Sequence, residues 1–166
     1  MSREHLVTES MFTGDMVDMQ GFPWCKDKSV RVGLSSATAK ILCKKHNSDI
    51  SDVDAAGKAG FDTIREMIRL GDARFKLKPR HWTVKHFEID GKKFERWCLK
   101  TLINLCYDRG HAIGRDSIVD GKPSERLVRI SYGLERFKNK AGLYLVSRVG
   151  WIEVYAGREG PVYGPL

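Results

Sequence analysis

One segment constrains the fold more than any other: residues 92–109, for which the sequence predicts an amphipathic helix. Apolar side chains recur there at the three- and four-residue spacing of a single helix face. They are Phe94, Trp97, Cys98, Thr101, Leu102, Leu105 and Cys106. Asp90 can accept hydrogen bonds from the first amides, and Gly110 is a residue type that commonly ends a helix. A helix with one apolar side must be covered by another element, so the chain is expected to fold around a core.

A second helix is predicted from Asp52 to about Leu70, where apolar residues again recur at helical spacing. Gly71 is expected to end it. Gly57 and Gly60 either weaken this helix or allow another backbone to approach it closely.

Short stretches with strand-like composition surround the two helices. They are "SVRVGL" at 29–34, "HWTVKHFEI" at 81–89, "RLVRISYG" at 126–133 and "AGLYLVSRVGWIEVYAG" at 141–157. The mixture predicts an α+β fold. We expect a small N-terminal module over residues 1–72, followed at 73–166 by an α+β lobe that contains the long helix and antiparallel strands.

The charge of the chain indicates what it could bind. Its 166 residues include 29 Lys and Arg but 21 Asp and Glu, giving a net charge of +8. This excess favours a polyanionic partner, because neutralising phosphates releases condensed counterions; the alternative is a merely basic protein. No apolar run approaches the roughly 20 residues that span a bilayer, and the polar start has no secretory signal. We therefore predict a cytoplasmic protein without membrane association, with its cysteines reduced.

Cys43 and His46 have the three-residue separation of a zinc knuckle. Cys25, in the turn-like segment "FPWCKDK", is a natural third ligand for a structural zinc. The fourth ligand is not obvious, although His5 is conceivable. The alternative interpretation is a buried cysteine and an exposed histidine at the start of a helix.

A second set of residues suits phosphodiester chemistry. Cleavage requires a base to activate water and a divalent cation to stabilise charge on the phosphate. Glu4 and His5 supply a carboxylate and an imidazole, and Asn47 supplies a neutral amide oxygen for the cation.

Two segments resemble those of the HNH nucleases, which have the ββα-metal fold: "REHLVTESMF" at 3–12 and "LCKKHNSD" at 42–49. The wider chain also resembles a group of bacterial and phage proteins that share this pair of segments. The resemblance implies that His5 is the general base and that Glu4 and Asn47 bind Mg²⁺ or another divalent cation. It also implies that Cys43 and His46 form the second zinc knuckle of the family, whose first Cys-x-x-Cys pair is absent from this sequence.

Basic residues between 74 and 100 form the predicted nucleic-acid surface. Four alternate along a predicted strand and four share a face of the long helix; the alternative is ordinary solvated charge. They are Arg74, Lys76, Lys78 and Arg80, followed by Lys92, Lys93, Arg96 and Lys100.

These features together predict an HNH-like, magnesium-dependent endonuclease, a hydrolase with DNA as the expected substrate. Two alternatives remain open. One is a DNA-binding protein that retains the HNH-like scaffold without hydrolysis, and the other is a phage or defence-system factor that binds another protein.

Overall fold

The computed structural model describes residues 4–20, 25–76, 83–109, 113, 122–138, 142, 151–155 and 161–165. Their helices are α1 (Lys44–Asp49), α2 (Ser51–Lys76), α3 (Gly91–Arg109) and α4 (Glu125–Ser131). Single turns of 3-10 helix lie at Glu9–Met11 and Leu34–Ser36.

Helix α3 confirms the strongest prediction from the sequence. Asp90 lies just before it, and the Oδ1 atom of its side chain accepts a hydrogen bond from the Lys93 amide at 3.1 Å. The predicted end of α2 at Gly71 is wrong, because the helix continues to Lys76. A side chain at Gly71 would meet only open space. A glycine inside a helix lowers helix stability by only about 1 kcal/mol relative to alanine, so the neighbouring turns can keep the helix intact.

The strands pair in antiparallel two-stranded sheets, so helices and antiparallel strands together confirm the α+β class. Strand β1 (Glu4–His5) pairs with β4 (Thr38–Ala39), and β2 (Met16–Met19) pairs with β3 (Val30–Gly33). Strand β5 (Trp151–Tyr155) pairs with β6 (Pro161–Pro165). Strand β3 confirms the prediction at 29–34, and β5 lies within the strand region predicted at 141–157.

Two predicted strands are wrong. Most of "RLVRISYG" forms α4, where the Ser124 hydroxyl accepts a hydrogen bond from the Leu127 amide and caps the helix. Its apolar residues at helical spacing pack into the core, with Ile130 buried there. Residues 83–89 have no regular secondary structure and pair with no described strand. Instead, Lys85 forms an ion pair with Glu66, so this segment contacts α2 through side chains.

The core contains two clusters of buried apolar side chains. The first contains Met11, Ile50, Val53 and Trp97, and the second contains Leu99, Ile103, Ile113 and Ile130. The first cluster therefore combines residues from both of the predicted ranges, 1–72 and 73–166.

The glycines of α2 explain how α3 approaches so closely. A Cβ atom at Gly57 would lie 2.3 Å from the indole of Trp97, and one at Gly60 would lie 2.4 Å from the ring of Phe94. These two rings stack on each other with centroids 5.9 Å apart. The close approach that the glycines allow is therefore made by aromatic side chains rather than by a second backbone.

Candidate functional site

The two sequence segments with predicted functional residues meet at one pocket of about 340 Å³. Strand β1 and the turn after it form one wall, while α1 and the start of α2 form the other. The lining residues are His5, Thr8, Glu9, Asn47, Ser48, Ser51 and Asp54. The structure therefore brings His5 and Asn47 to the same pocket.

His5 faces a carboxylate that was not among the predicted site residues. Its Nε2 atom lies 3.1 Å from Glu9 Oε2, and Glu9 is largely exposed whereas His5 is partly buried. The other ring nitrogen, Nδ1, is buried and has no hydrogen-bond partner among the described residues. Since a carboxylate only accepts hydrogen bonds, the contact favours a proton on Nε2. The four-residue separation of Glu9 from His5 was the sequence signal that could have indicated this pair.

A partly buried hydrogen-bond network forms the floor of the pocket. Lys100 Nζ donates to both carboxylate oxygens of Asp54, at 2.8 and 2.7 Å. The Thr8 hydroxyl donates to Asp54 Oδ1 at 2.9 Å and accepts a hydrogen bond from the Trp97 indole at 2.8 Å. The network joins the pocket to α3, and it was not predicted because its members are far apart in the sequence.

The donor chemistry of the pocket suits a hard divalent cation. Glu9, Asn47, Ser48 and Ser51 all present oxygen atoms, the ligand type that Mg²⁺ and Ca²⁺ prefer. Asp54 is already engaged by Lys100. Glu4 lies on β1 beside His5, and its role as a ligand stays a prediction. Across the described residues, no group of three or more His, Cys, Asp or Glu side chains is placed to hold a metal ion.

The pair predicted to bind zinc is also together. Cys43 Sγ lies 3.4 Å from His46 Nδ1. Two ligands of one tetrahedral zinc, with bonds of about 2.3 Å to sulfur and about 2.05 Å to nitrogen, would lie about 3.5 Å apart. The same distance also fits a direct S···N hydrogen bond. Cys25 is buried, whereas Cys43 is exposed, and the zinc site of Cys25, Cys43 and His46 stays a prediction.

The predicted basic face of α3 is largely occupied by internal contacts. Lys93 forms an ion pair with Asp52 at 3.1 Å, and Arg96 Nε donates to the Ser131 carbonyl at 3.0 Å. The hydrogen bond from Lys93 holds the pKa of the Asp52 carboxyl below its usual value.

Lys100 requires a correction. It is only 5% exposed and its ammonium binds Asp54, so it lies in the interior rather than on a solvated face. The Asp54 carboxylate, which accepts two hydrogen bonds from the ammonium, holds the side chain inward, although its helical position predicted otherwise.

The remaining predicted basic residues differ in their surroundings. Arg74 donates to the Thr83 carbonyl, whereas Lys76 and Lys92 are exposed. Lys78 and Arg80 lie outside the described residues.

Comparisons with protein-family models, curated proteins and solved structures found no match to this chain. Among the described residues, no helix is long and apolar enough to span a membrane.

Proposed function

We propose that the chain is a divalent-metal-dependent nucleic-acid endonuclease of the HNH-like type, with DNA as the expected substrate. The supporting observation is that His5 and Asn47 line one pocket together with the Glu9 carboxylate. This pocket combines a candidate base with oxygen atoms that could bind a divalent cation, the two components that metal-dependent phosphodiester hydrolysis uses. A structural zinc at Cys43 and His46, with Cys25 as a third ligand, and a cytoplasmic location belong to the same proposal.

His5 would remove a proton from the attacking water. Its Nδ1 atom is buried, so the water must approach Nε2, which Glu9 faces at 3.1 Å. Glu9 must therefore release Nε2 before that nitrogen can accept a proton. Because Glu9 is largely exposed, this movement breaks few other contacts. A bound cation, held by Glu9 and Asn47 with Glu4 as a further candidate, would stabilise charge on the phosphate.

The second candidate function is nucleic-acid binding without hydrolysis, on the same HNH-like scaffold. It is favoured by the surroundings of His5, because one ring nitrogen is buried and the other contacts a carboxylate. If Nε2 is to act as the base, the proton of the neutral ring must lie on Nδ1. That placement would leave a buried N–H donor without a hydrogen-bond partner, which costs about 1–3 kcal/mol.

Cleavage of supercoiled plasmid DNA in the presence of Mg²⁺, Mn²⁺ or Ca²⁺ tests the proposal. We expect His5→Ala to lower the cleavage rate by about 10²–10⁴-fold, the usual contribution of proton transfer, and to leave DNA affinity nearly unchanged. His86→Ala is the matched control, because His86 is exposed and does not line the pocket.

Equal cleavage by wild type and His5→Ala would contradict the role of His5 and indicate a contaminating nuclease. DNA binding without cleavage in any of the metals would instead favour the second candidate function.

A further inference from the structure

Three lysines near the pocket differ from most of the described cations of the predicted basic face, which bind partners within the fold. Lys40, Lys44 and Lys45 are exposed. Within the part of the chain that the structure describes, none of them makes a side-chain hydrogen bond or an ion pair. Their ammonium groups are therefore free to meet a ligand without breaking an existing contact.

The lysines lie on the same segments that build the pocket. Lys40 directly follows β4, in which Thr38 pairs with His5 across the two-stranded sheet. On α1, Lys44 precedes Asn47 and Ser48 by three and four residues, and this spacing places side chains on one helix face. Asn47 and Ser48 both line the pocket. Two separate segments, the residue after β4 and the start of α1, thus bring positive charge close to the pocket.

Lys45 and the carboxylates set the local charge balance. Lys45 adds a third cation to the start of α1, and Asp49 ends the helix with a negative charge. Inside the pocket, Asp54 is paired with Lys100, which leaves Glu9 as the carboxylate facing His5. Positive charge therefore dominates the outside of α1, while the pocket contains the groups suited to a cation.

The predicted basic face offers less to a polyanion. Lys100 is buried, and Lys93 and Arg96 already bind partners within the fold. A phosphate would have to displace those partners to reach these cations. The three lysines around α1 need no such displacement.

We propose that Lys40, Lys44 and Lys45, the α1 lysine surface, contact the phosphate backbone of a nucleic acid and hold it beside the pocket. The inference rests on the proposed function because it assigns a role next to the same pocket. It concerns binding, however, and can be measured without any cleavage.

The test uses the full chain with Lys40→Gln, Lys44→Gln and Lys45→Gln combined. The matched control combines Arg126→Gln, Arg136→Gln and Lys138→Gln, which removes the same charge from exposed positions on and after α4. Binding to a fluorescent DNA duplex is followed by anisotropy over a series of salt concentrations. Far-UV circular dichroism and urea unfolding verify that both variants are folded.

We expect the α1 variant to weaken binding strongly and the control to weaken it little. The slope of log affinity against log salt should fall in magnitude by up to about 3, because each lost phosphate contact removes about 0.9 from it. Equal losses in both variants would overturn the proposal, since only net charge would then matter. Unchanged affinity of the α1 variant, or binding of acidic proteins but not DNA, would also overturn it.

Cleavage separates this inference from the proposed function. If no metal supports cleavage but the α1 variant alone loses binding, the surface stands and the endonuclease proposal fails. If His5→Ala abolishes cleavage but the α1 variant binds DNA as wild type does, the pocket keeps its function and the surface proposal fails.

Discussion

Replacing Lys100 by methionine would test the buried ion pair beneath the pocket. The Lys100 ammonium donates to both oxygens of Asp54, and the two side chains are 6% and 21% exposed. Methionine retains most of the aliphatic length but removes the charge. Asp54 would then keep the Thr8 hydroxyl as a hydrogen-bond donor, while its negative charge would lose its close cation.

The expected loss of stability follows from this geometry. Removing one partner of a buried ion pair typically costs about 3–5 kcal/mol, because the remaining charge stays buried without compensation. Asp54 is partly exposed and retains one donor, so we expect the lower end, about 3 kcal/mol. For a chain of this size such a loss lowers Tm by about 6–12 °C, if unfolding is two-state.

Urea unfolding, followed by tryptophan fluorescence and circular dichroism, measures this free energy. Lys92→Met is the matched control: Lys92 lies on the same helix but is exposed, so its change should stay within about 0.5 kcal/mol. Combining Lys100→Met with Asp54→Asn should recover much of the lost stability, because the double variant leaves no unpaired charge.

A loss for Lys100→Met no larger than that for Lys92→Met would refute this reasoning and indicate that the ammonium is solvated. If the double variant were as unstable as the sum of the two single changes, the two charges would not be coupled. The experiment also separates a structural role for Lys100 from the phosphate contact predicted from its helical position.

Two further outcomes concern α2. Gly57→Ala should destabilise the fold by about 1–3 kcal/mol, because its methyl group would overlap the packed indole ring of Trp97. Gly71→Ala should instead stabilise the fold by about 0.5–1 kcal/mol, because a methyl group there meets only open space. Equal free energies of unfolding for the two variants, measured by chemical denaturation, would contradict this packing. Hydrogen bonds from Arg69 and Lys85 lower the pKa of Glu66 from 4.5 to about 2, so its stabilising contribution is full above pH 4.5 and disappears as pH falls through about 2. NMR titration of that carboxyl, with a midpoint near 4.5, would contradict this.

The sequence predicted those parts of the fold that local pattern determines. Helix α3 has a cap at Asp90 and a continuous apolar face, so its identity did not depend on distant contacts. Strand β3 likewise followed from a short β-branched run. Helix α4 was mistaken for a strand because its Val and Ile residues favour strands locally. Its helical state depends on a Ser124 cap and on burial of Ile130 against α3, which the local pattern does not contain.

In the site, as in the fold, the local pattern did not predict contacts between residues far apart in the sequence. The juxtaposition of His5 with Asn47 was expected from a family resemblance, and the structure places both at one pocket. Glu9 was not among the predicted site residues, yet it faces His5 because a turn of 3-10 helix folds back after β1. No local pattern could indicate that Lys100 turns inward, since its partner Asp54 lies 46 residues earlier.

The floor of the pocket depends on both sequence ranges that were predicted as separate domains. Thr8 and Asp54 belong to residues 1–72, but they bind Trp97 and Lys100 of α3. Trp97 also packs in the first core cluster with Val53, over the space that Gly57 leaves open. Removing α3 would leave Asp54 without its cation and Thr8 without its indole donor. The orientation of the pocket wall that contains Thr8 therefore depends on the packing of α2 against α3, and not on the N-terminal segment alone.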